Sequence, residues 1–371
     1  MTESTRDPAD VAAWVRLTAT PGVSAQAGRR LLAAFGLPQA VLALDVARLR
    51  DAAEPAAARA LAAPPDAEVA ARITRTLQWL EAPNHHLVTM ADAAYPARLL
   101  DLADPPLLLY VNGNAERLET WSLGIVGARH ATEQGLRNAQ AFSSAFSDAG
   151  MTVVSGLALG IDAAAHAAAL TGPGGTVAVV GTGVDIVYPA RHHKLAHQIV
   201  DAGGAIVSEF PLGTPGLPNH FPRRNRIIAA LARGVLVVEA AERSGSLITA
   251  RLASEIGREV FAIPGSIHAE LSRGCHKLIR QGAKLVESPA DVFEEFSDLA
   301  PAAGKAGKAP ASPAPVADDA LAAALAYDPV TLDALCERTG MAAEAVSAEL
   351  LQMELAGMAE RLPGNRFRRL A

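Results

Sequence analysis

Six short apolar runs, each followed by a stretch of helical periodicity, constrain the fold of this chain more than any other feature of its sequence. They are Gly124-Ile125-Val126-Gly127, Thr152-Val153-Val154-Ser155, Val177-Ala178-Val179-Val180-Gly181, Ala205-Ile206-Val207-Ser208, Val235-Leu236-Val237-Val238-Glu239 and Val260-Phe261-Ala262-Ile263-Pro264. Runs this short and this apolar read as strands buried on both faces. Strands separated by helices pair in parallel, because each return to the sheet crosses over through the helix. The expectation is an α/β fold built on a central Rossmann-like doubly wound parallel sheet. Lys284 to Glu287 adds an edge strand before a helix at Ala290 to Phe296.

The flanks follow other patterns. Residues 1–80 are rich in Ala and Leu at helical spacing, with Gly36 as a stop, and read as a small N-terminal helical domain. Within it, Pro21-Gly22-Val23 reads either as a helix-hairpin-helix element, whose backbone N–H groups hold a phosphate, or as a plain helical turn. The sheet domain covers residues 81–298. Residues 299–318, rich in Ala and Pro with Lys305 and Lys308, read as a flexible linker. Residues 319–371 carry helical pattern at Leu321 to Tyr327, Leu332 to Arg338 and Glu344 to Ala356. A Pro363-Gly364-Asn365 turn follows between Met358 to Leu362 and Arg366 to Leu370. Three helices and a two-stranded wing make a C-terminal winged helix. A length of 371 residues accommodates this division at roughly 150 residues per domain.

Only two cysteines occur, Cys275 and Cys336, so neither a disulfide framework nor a four-thiolate zinc site is expected, and a reducing cytoplasmic setting fits. His192, His193 and His197 have no Cys or carboxylate cluster beside them, and no metal or cofactor is expected. No stretch approaches the roughly 20 apolar residues of a membrane span. The net charge of −6 conceals an asymmetry: residues 121–290 hold 15 Lys and Arg against 12 Asp and Glu. A mildly basic block in an acidic chain points to a local anion site.

In a doubly wound sheet, ligands bind beyond the carboxyl ends of the strands. Those ends carry Gly127-Ala128-Arg129, Ser155-Gly156-Leu157-Ala158-Leu159-Gly160, Gly181-Thr182-Gly183 and Arg243-Ser244-Gly245-Ser246-Leu247-Ile248-Thr249. Small residues opening helices leave N–H groups free for phosphate, although any one such glycine also serves simply to make a tight turn. No segment supplies the three-glycine dinucleotide fingerprint, and there is no Gly-Lys-Ser/Thr phosphate loop.

The most informative segment is Asn219-His220-Phe221-Pro222-Arg223-Arg224-Asn225-Arg226-Ile227-Ile228. Arginines at the start of a helix oppose its dipole, and a bound anion offsets that cost. In a chain with only 4% aromatic residues, Phe221 beside them is either a platform for a nucleobase or a core residue under a solvated basic helix start. Asp162 and His166, four apart on one helix, are an acid/base pair or, more simply, structural hydrogen-bonding groups. Glu239 ends the fifth run, where it either serves catalysis or pairs with Arg226 or Arg243.

Taken together, Gly124-Ile125-Val126-Gly127-Ala128-Arg129, the segment from Ser155 to His166, Tyr188-Pro189, Ser208-Glu209-Phe210-Pro211, the segment from Phe221 to Ile228, and Ser244 to Ala250 resemble the DprA (Smf) family of DNA-processing proteins. The resemblance covers about residues 85–290. It implies a homodimer that binds and protects single-stranded DNA and loads the RecA recombinase onto it during natural transformation, with competence, DNA uptake and recombination as its setting and no catalytic residue. DNA contacts carry over to Gly127, Arg129, Ser155, Gly156, Gly181, Phe221, Arg223, Arg224, Asn225, Arg226, Ser244, Gly245 and Ser246. After Tyr188-Pro189, relatives often have Lys then Asn, where this chain reads Ala190-Arg191-His192-His193-Lys194; Arg191 and Lys194 are the candidates to supply that charge. Many relatives also carry Gly-Thr-Asn before a Leu-Ile pair, and here Gly274-Cys275-His276-Lys277 precedes Leu278-Ile279. The family's dimer contact lies near this part of the sheet domain, so Leu278, Ile279 and Phe293 are candidates for burial between protomers or, equally, ordinary core residues.

The winged helix invites a duplex-DNA reading, yet its third helix carries Glu344, Glu349 and Glu354 and no base. A protein-contacting role is expected instead, with auxiliary DNA contacts from Arg366, Arg368 and Arg369. The rival from another class is a nucleoside-phosphate hydrolase resembling the lysine-decarboxylase-like phosphoribohydrolases. Those place a catalytic Glu after a Gly-Thr turn, where this chain has Gly245-Ser246-Leu247-Ile248-Thr249-Ala250-Arg251 and no carboxylate.

Overall fold

The computed structural model describes residues 7–296, 320–325, 327 and 329–370; the linker expected at 299–318 lies outside them. The chain divides into two compact units, residues 1–131 with 138–289, and residues 132–137 with 290–371.

The first unit holds a nine-stranded sheet. Its strands are β1 His85–Thr89, β2 Leu108–Gly113, β3 Ser122–Val126, β4 Thr152–Ser155, β5 Thr176–Val179, β6 Ala205–Ser208, β7 Gly234–Val237, β8 Glu259–Ala262 and β9 Lys284–Leu285. They lie in the order β1-β2-β6-β5-β4-β3-β7-β8-β9. From β6 to β9 every pairing is parallel, as the six runs imply, and β9 is the edge strand expected from Lys284. The sequence reading did not include β1 and β2, which pair antiparallel with each other and with β6. Antiparallel strands need no helical crossover, so they lack the strand-then-helix pattern that betrays the others.

Strand order reverses at β3, which has β4 on one side and β7 on the other. Right-handed crossovers then carry the helix after β3 and the helix Ser246–Glu255 after β7 to opposite faces, opening a crevice between the two strand ends. One face of the sheet packs Val126, Val154, Val177, Val207, Val235 and Val237 against Ile227 to Leu231 of the helix His220–Leu231. The other face packs Ala178, Ile206 and Tyr110 against Val11, Trp14 and Val15 of the N-terminal helix Pro8–Ala19. The helical segment 8–79 therefore shares a core with the sheet, while Leu17, Leu31, Val41, Leu49 and Leu61 form a core of its own. Asp7, Ser24, Asp45 and Asp66 cap four of its helices by accepting from backbone N–H groups.

In the second unit, helices Ala320–Ala324, Leu332–Thr339 and Ala343–Leu355 pack with strands β10 Val330–Thr331, β11 Ala359–Leu362 and β12 Arg366–Arg369 around Leu321, Leu335, Val346, Leu350 and Phe367. This is the expected winged helix, with β10 as an additional strand paired to β12. The first helix stops at Ala324, short of Tyr327.

Candidate nucleic-acid interface

The crevice at the β3/β7 switch point is a cavity of about 380 Å³ lined by Gly127, Arg129, Asp162, Tyr188, Phe221, Arg224, Asn225, Ser244, Gly245 and Ser246 among others. Three of the four strand-end segments, those after β3, β4 and β7, thus meet in one place, while Gly181 lies against the Phe221 ring and outside the lining. The helix Ser246–Glu255 begins here with Gly245 at its N-cap, so its positive dipole end lies at the cavity, while the Ser246 N–H donates to Ser244 Oγ at 3.3 Å and those of Leu247 and Ile248 donate to the Ser244 and Gly245 carbonyls. The Ser244 and Ser246 hydroxyls lie 2.7 Å apart and order the turn.

Arg224 forms the floor. It is 4% exposed, its Nη1 donates to the Val179 carbonyl at 2.6 Å, and its Nε has no hydrogen-bond partner among the described residues. Burial and the neighbouring Arg129 push its pKa down, and Asp162 pushes it up, leaving it at about 10 and therefore charged at neutral pH. The guanidinium lies directly beneath the turn after β4. A Cβ on Gly156 would fall 1.7 Å from Arg224 Nη1, so only glycine fits there.

Asp162 and His166 secure that turn. Asp162 accepts from the N–H groups of Gly156 at 3.1 Å and Ala158 at 3.3 Å. Burial raises its pKa, opposed by Arg224 and those same N–H groups. His166 Nε2 accepts from Leu157 N–H at 3.2 Å. Its Nδ1 lies 2.7 Å from Thr176 Oγ1, which itself donates to the Val153 carbonyl. Thr176 Oγ1 must then accept, which fixes a neutral imidazole protonated on Nδ1. Burial agrees, pushing the His166 pKa down to about 3. The two side chains hold a loop in which Leu157 adopts a positive φ of 57°, and do not form an acid/base pair.

The wall is aromatic and basic. The Phe221 and Tyr188 rings lie 5.5 Å apart between centroids, and the Arg129 guanidinium carbon sits 5.7 Å from the Phe221 centroid. Phe221 is half-buried and packs over Gly181, where a Cβ would come within 3.0 Å of the ring. Neither reading of Phe221 is complete, since it is both packed and open to the cavity. Tyr188, 50% exposed, did not figure among the site residues chosen from sequence; an aromatic before a proline at a strand end, in so aromatic-poor a chain, was the available signal.

The remaining candidates separate into groups. Arg129, Arg191, Lys194 and Arg223 are exposed, and Arg191 and Lys194 sit on the turn Ala190–His192 and the helix His193–Asp201, just beyond Tyr188. Arg223 leans on Glu209 at 3.1 Å and over the Phe210 ring. Asn225 reaches the Gly245 carbonyl at 3.4 Å. Two lie elsewhere. Ser155 is buried and donates to the Ile125 carbonyl at 2.6 Å, tying β4 to β3. Arg226 is 5% exposed in an ion pair with Glu209 at 2.5 Å and Asp104 at 3.4 Å, so its carboxylate partners are these and not Glu239.

Leu278 is buried in the core of its own unit, with Ile279 packed partly against it; Phe293 is half-buried in the second unit. His192 Nδ1 bonds the Leu157 carbonyl, and among the described residues no group of three or more His, Cys, Asp or Glu is placed to hold a metal. Among those residues no helix is long and apolar enough to cross a membrane.

Residues 86–297 match the family model described as DNA recombination-mediator protein A, and residues 305–365 match the DprA winged helix domain. Protein Smf of Escherichia coli (strain K12) is 43% identical over 301 residues, 80% of either chain. DNA processing protein DprA of Streptococcus pneumoniae is 47% identical over 208 residues, 56% of this chain and 73% of that one. The X-ray structure of DprA from Streptococcus pneumoniae superposes with a TM-score of 0.65 at 37% identity, covering 76% of this chain and 95% of that one. DNA processing protein A of Helicobacter pylori, solved for its single-stranded DNA binding mode, gives a TM-score of 0.52 at 28% identity over 57% of this chain and 95% of that one.

Proposed function

The chain belongs to the DNA recombination-mediator protein A (DprA/Smf) family, and on that premise we propose that it binds single-stranded DNA through the switch-point cavity and its rim. The observation that carries the reading is the buried, charged Arg224 at the floor of a cavity bounded by the N-terminus of the helix Ser246–Glu255 and by two aromatic rings. A phosphate meets Arg224, Arg129 and the positive dipole end of the helix that begins at Ser246. A base stacks on Phe221 or Tyr188, and the strand continues over Arg191, Lys194 and Arg223. Arg226 contributes by holding Glu209 and the basic helix in place rather than by touching DNA. Backbone contacts and stacking carry little base information, so sequence preference is small.

The finer role we propose is that of the family resemblance: protecting incoming single strands and loading RecA onto them in the cytoplasm during natural transformation. The active form in this proposal is a homodimer formed near Ile279, where the edge strand β9 also leaves Leu285 exposed. Binding without catalysis is favoured over hydrolysis of a nucleoside phosphate. Among the cavity's lining residues Asp162 alone is a carboxylate, and it is engaged with two backbone N–H groups.

The test is fluorescence anisotropy with single- and double-stranded oligonucleotides of equal length at several salt concentrations, for the wild type, Arg129→Ala and Phe221→Leu. The expected result is single-strand preference, with a salt slope that becomes about 0.7 shallower in Arg129→Ala. In Phe221→Leu, affinity drops while the slope is unchanged. Absence of single-strand binding at low salt would remove the proposal and direct attention to turnover of nucleoside monophosphates.

A further inference from the structure

The two rings of the cavity wall are held from outside by a loop. Tyr188 lies in the segment between β5 and the turn Ala190–His192, and residues 209–219 connect β6 to the helix His220–Leu231, which carries Phe221. Gly216 of that loop is pressed against both rings: a Cβ there would come within 3.3 Å of the Tyr188 ring and 3.5 Å of the Phe221 ring. Pro218 lines the cavity, and Leu217 between them is 44% exposed. The loop contains Pro211, Gly213, Pro215, Gly216 and Pro218, and forms neither helix nor strand. Such a segment keeps one position only where its backbone groups are bonded to something else.

Two side chains supply those bonds. Asp185, on the same segment as Tyr188, accepts the Gly213 N–H with both carboxylate oxygens, at 2.9 and 3.0 Å. From the helical segment, Arg75 of the helix Ala67–Trp79 donates its Nη1 to the Leu212 carbonyl at 3.2 Å. Both bonds are charge-assisted, and such bonds are roughly twice as strong as neutral ones. They fall on adjacent residues, the second of which holds a φ of +79°. A third bond runs beside them, from the Gly183 N–H to the Thr214 carbonyl at 2.9 Å. Asp185 stands three residues before Tyr188, and Gly213 three before Gly216. The bonded positions are thus a short lever away from the rings on either side.

We propose that Asp185 and Arg75 are positioning residues for single-strand binding. They clamp the loop onto Tyr188 and Phe221 and so set the stacking surface before a base arrives. The proposal rests on the DNA reading above, and it gives the N-terminal helical segment a part in the site without a contact to DNA. The sign of the effect at Asp185 separates a clamp from electrostatics. Asp185 is an exposed acid, so by charge alone its removal leaves the affinity for an anionic strand unchanged or raises it. Removal of a clamp lowers the affinity, because binding must then order the loop and the rings as well.

The experiment compares the full wild-type chain with Asp185→Ala, Asp185→Asn and Arg75→Ala. Hydrogen exchange of residues 211–219 is read by mass spectrometry, and a single-stranded oligonucleotide is titrated by fluorescence anisotropy at several salt concentrations. In Asp185→Ala the loop is expected to exchange faster while the strands of the sheet stay protected. Its single-strand affinity should fall about fivefold or more, the smaller end of what one stacked base contributes. Asp185→Asn keeps an acceptor for the Gly213 N–H without the charge and should recover most of both losses. Arg75→Ala should weaken binding with an unchanged salt slope; a slope about 0.7 shallower would overturn its part in the clamp and place it on a phosphate. The clamp is overturned if the loop exchanges alike in the wild type and Asp185→Ala, if Asp185→Ala binds as tightly as the wild type or more so, or if Asp185→Asn is as impaired as Asp185→Ala. A wild type that binds no single strand removes the DNA reading and the role in binding with it, and the exchange of the loop then decides by itself whether Asp185 holds it.

Discussion

Gly156→Ala isolates the feature on which the cavity is built. No positive φ is required at this position, so in free space the added methyl would stabilise the chain by about 0.4–1 kcal/mol through the unfolded state. It cannot be accommodated, because its Cβ would fall 1.7 Å from Nη1 of Arg224, whose side chain is buried and donates to the Val179 carbonyl. Moving the guanidinium breaks that charge-assisted hydrogen bond, roughly 1.5–3 kcal/mol, and takes the positive charge from beside Asp162. A net destabilisation of about 2–4 kcal/mol is expected.

The decisive measurement is a double-mutant cycle. In an Arg224→Ala background, itself costly because Asp162 loses its countercharge, the same Gly156→Ala change should become neutral or stabilising by about 0.4–1 kcal/mol. Urea unfolding followed by tryptophan fluorescence suits the purpose, since Trp14, Trp79 and Trp121 all belong to the sheet-containing unit. Equal costs of Gly156→Ala in the two backgrounds would refute the reasoning, because the clash would then not be with Arg224.

Two further outcomes follow from the same geometry. Arg226→Ala leaves the buried Glu209 carboxylate with only the exposed Arg223 at 3.1 Å and should cost about 1.5–3 kcal/mol in urea unfolding, while the salt slope of single-strand binding in the folded protein stays as in the wild type; a shallower slope would place Arg226 on DNA instead. His166 titrates at about 3 when folded and near 6.5 when unfolded, so the unfolded chain binds the extra proton between those values. Stability is therefore full above about pH 6.5 and falls as the pH drops toward 3. His166→Gln should flatten that part of the profile, and an unchanged urea midpoint between pH 7 and pH 4 in the wild type would contradict the neutral, Nδ1-protonated assignment.

Much of the molecule was legible in its residues. The apolar runs from Gly124 to Pro264 specify parallel strands because a short, doubly buried strand has little other sequence to use, and the glycines and serines at their ends mark where the chain must turn. The cluster from Phe221 to Arg226 likewise announces an anion, since three arginines at a helix start are unfavourable without one. The winged helix followed from its turn and its three periodic stretches. The pair β1 and β2 was hidden because antiparallel pairing requires no pattern linking strand to helix.

What tertiary structure alone decided is the fate of each arginine. One helical turn of Arg223, Arg224 and Arg226 sends the first to solvent, the second beneath the Gly156 turn and the third into an ion pair with Glu209. Sequence spacing sets the direction in which each side chain leaves the helix, but not what stands there. The partners, Asp162, Val179, Asp104 and Glu209, arrive from other strands and loops through long-range folding. The same holds for the Asp162 and His166 pair, whose spacing on one helix fits catalysis as well as support. Only the positions of Gly156, Leu157 and Thr176 make both side chains supports of a loop.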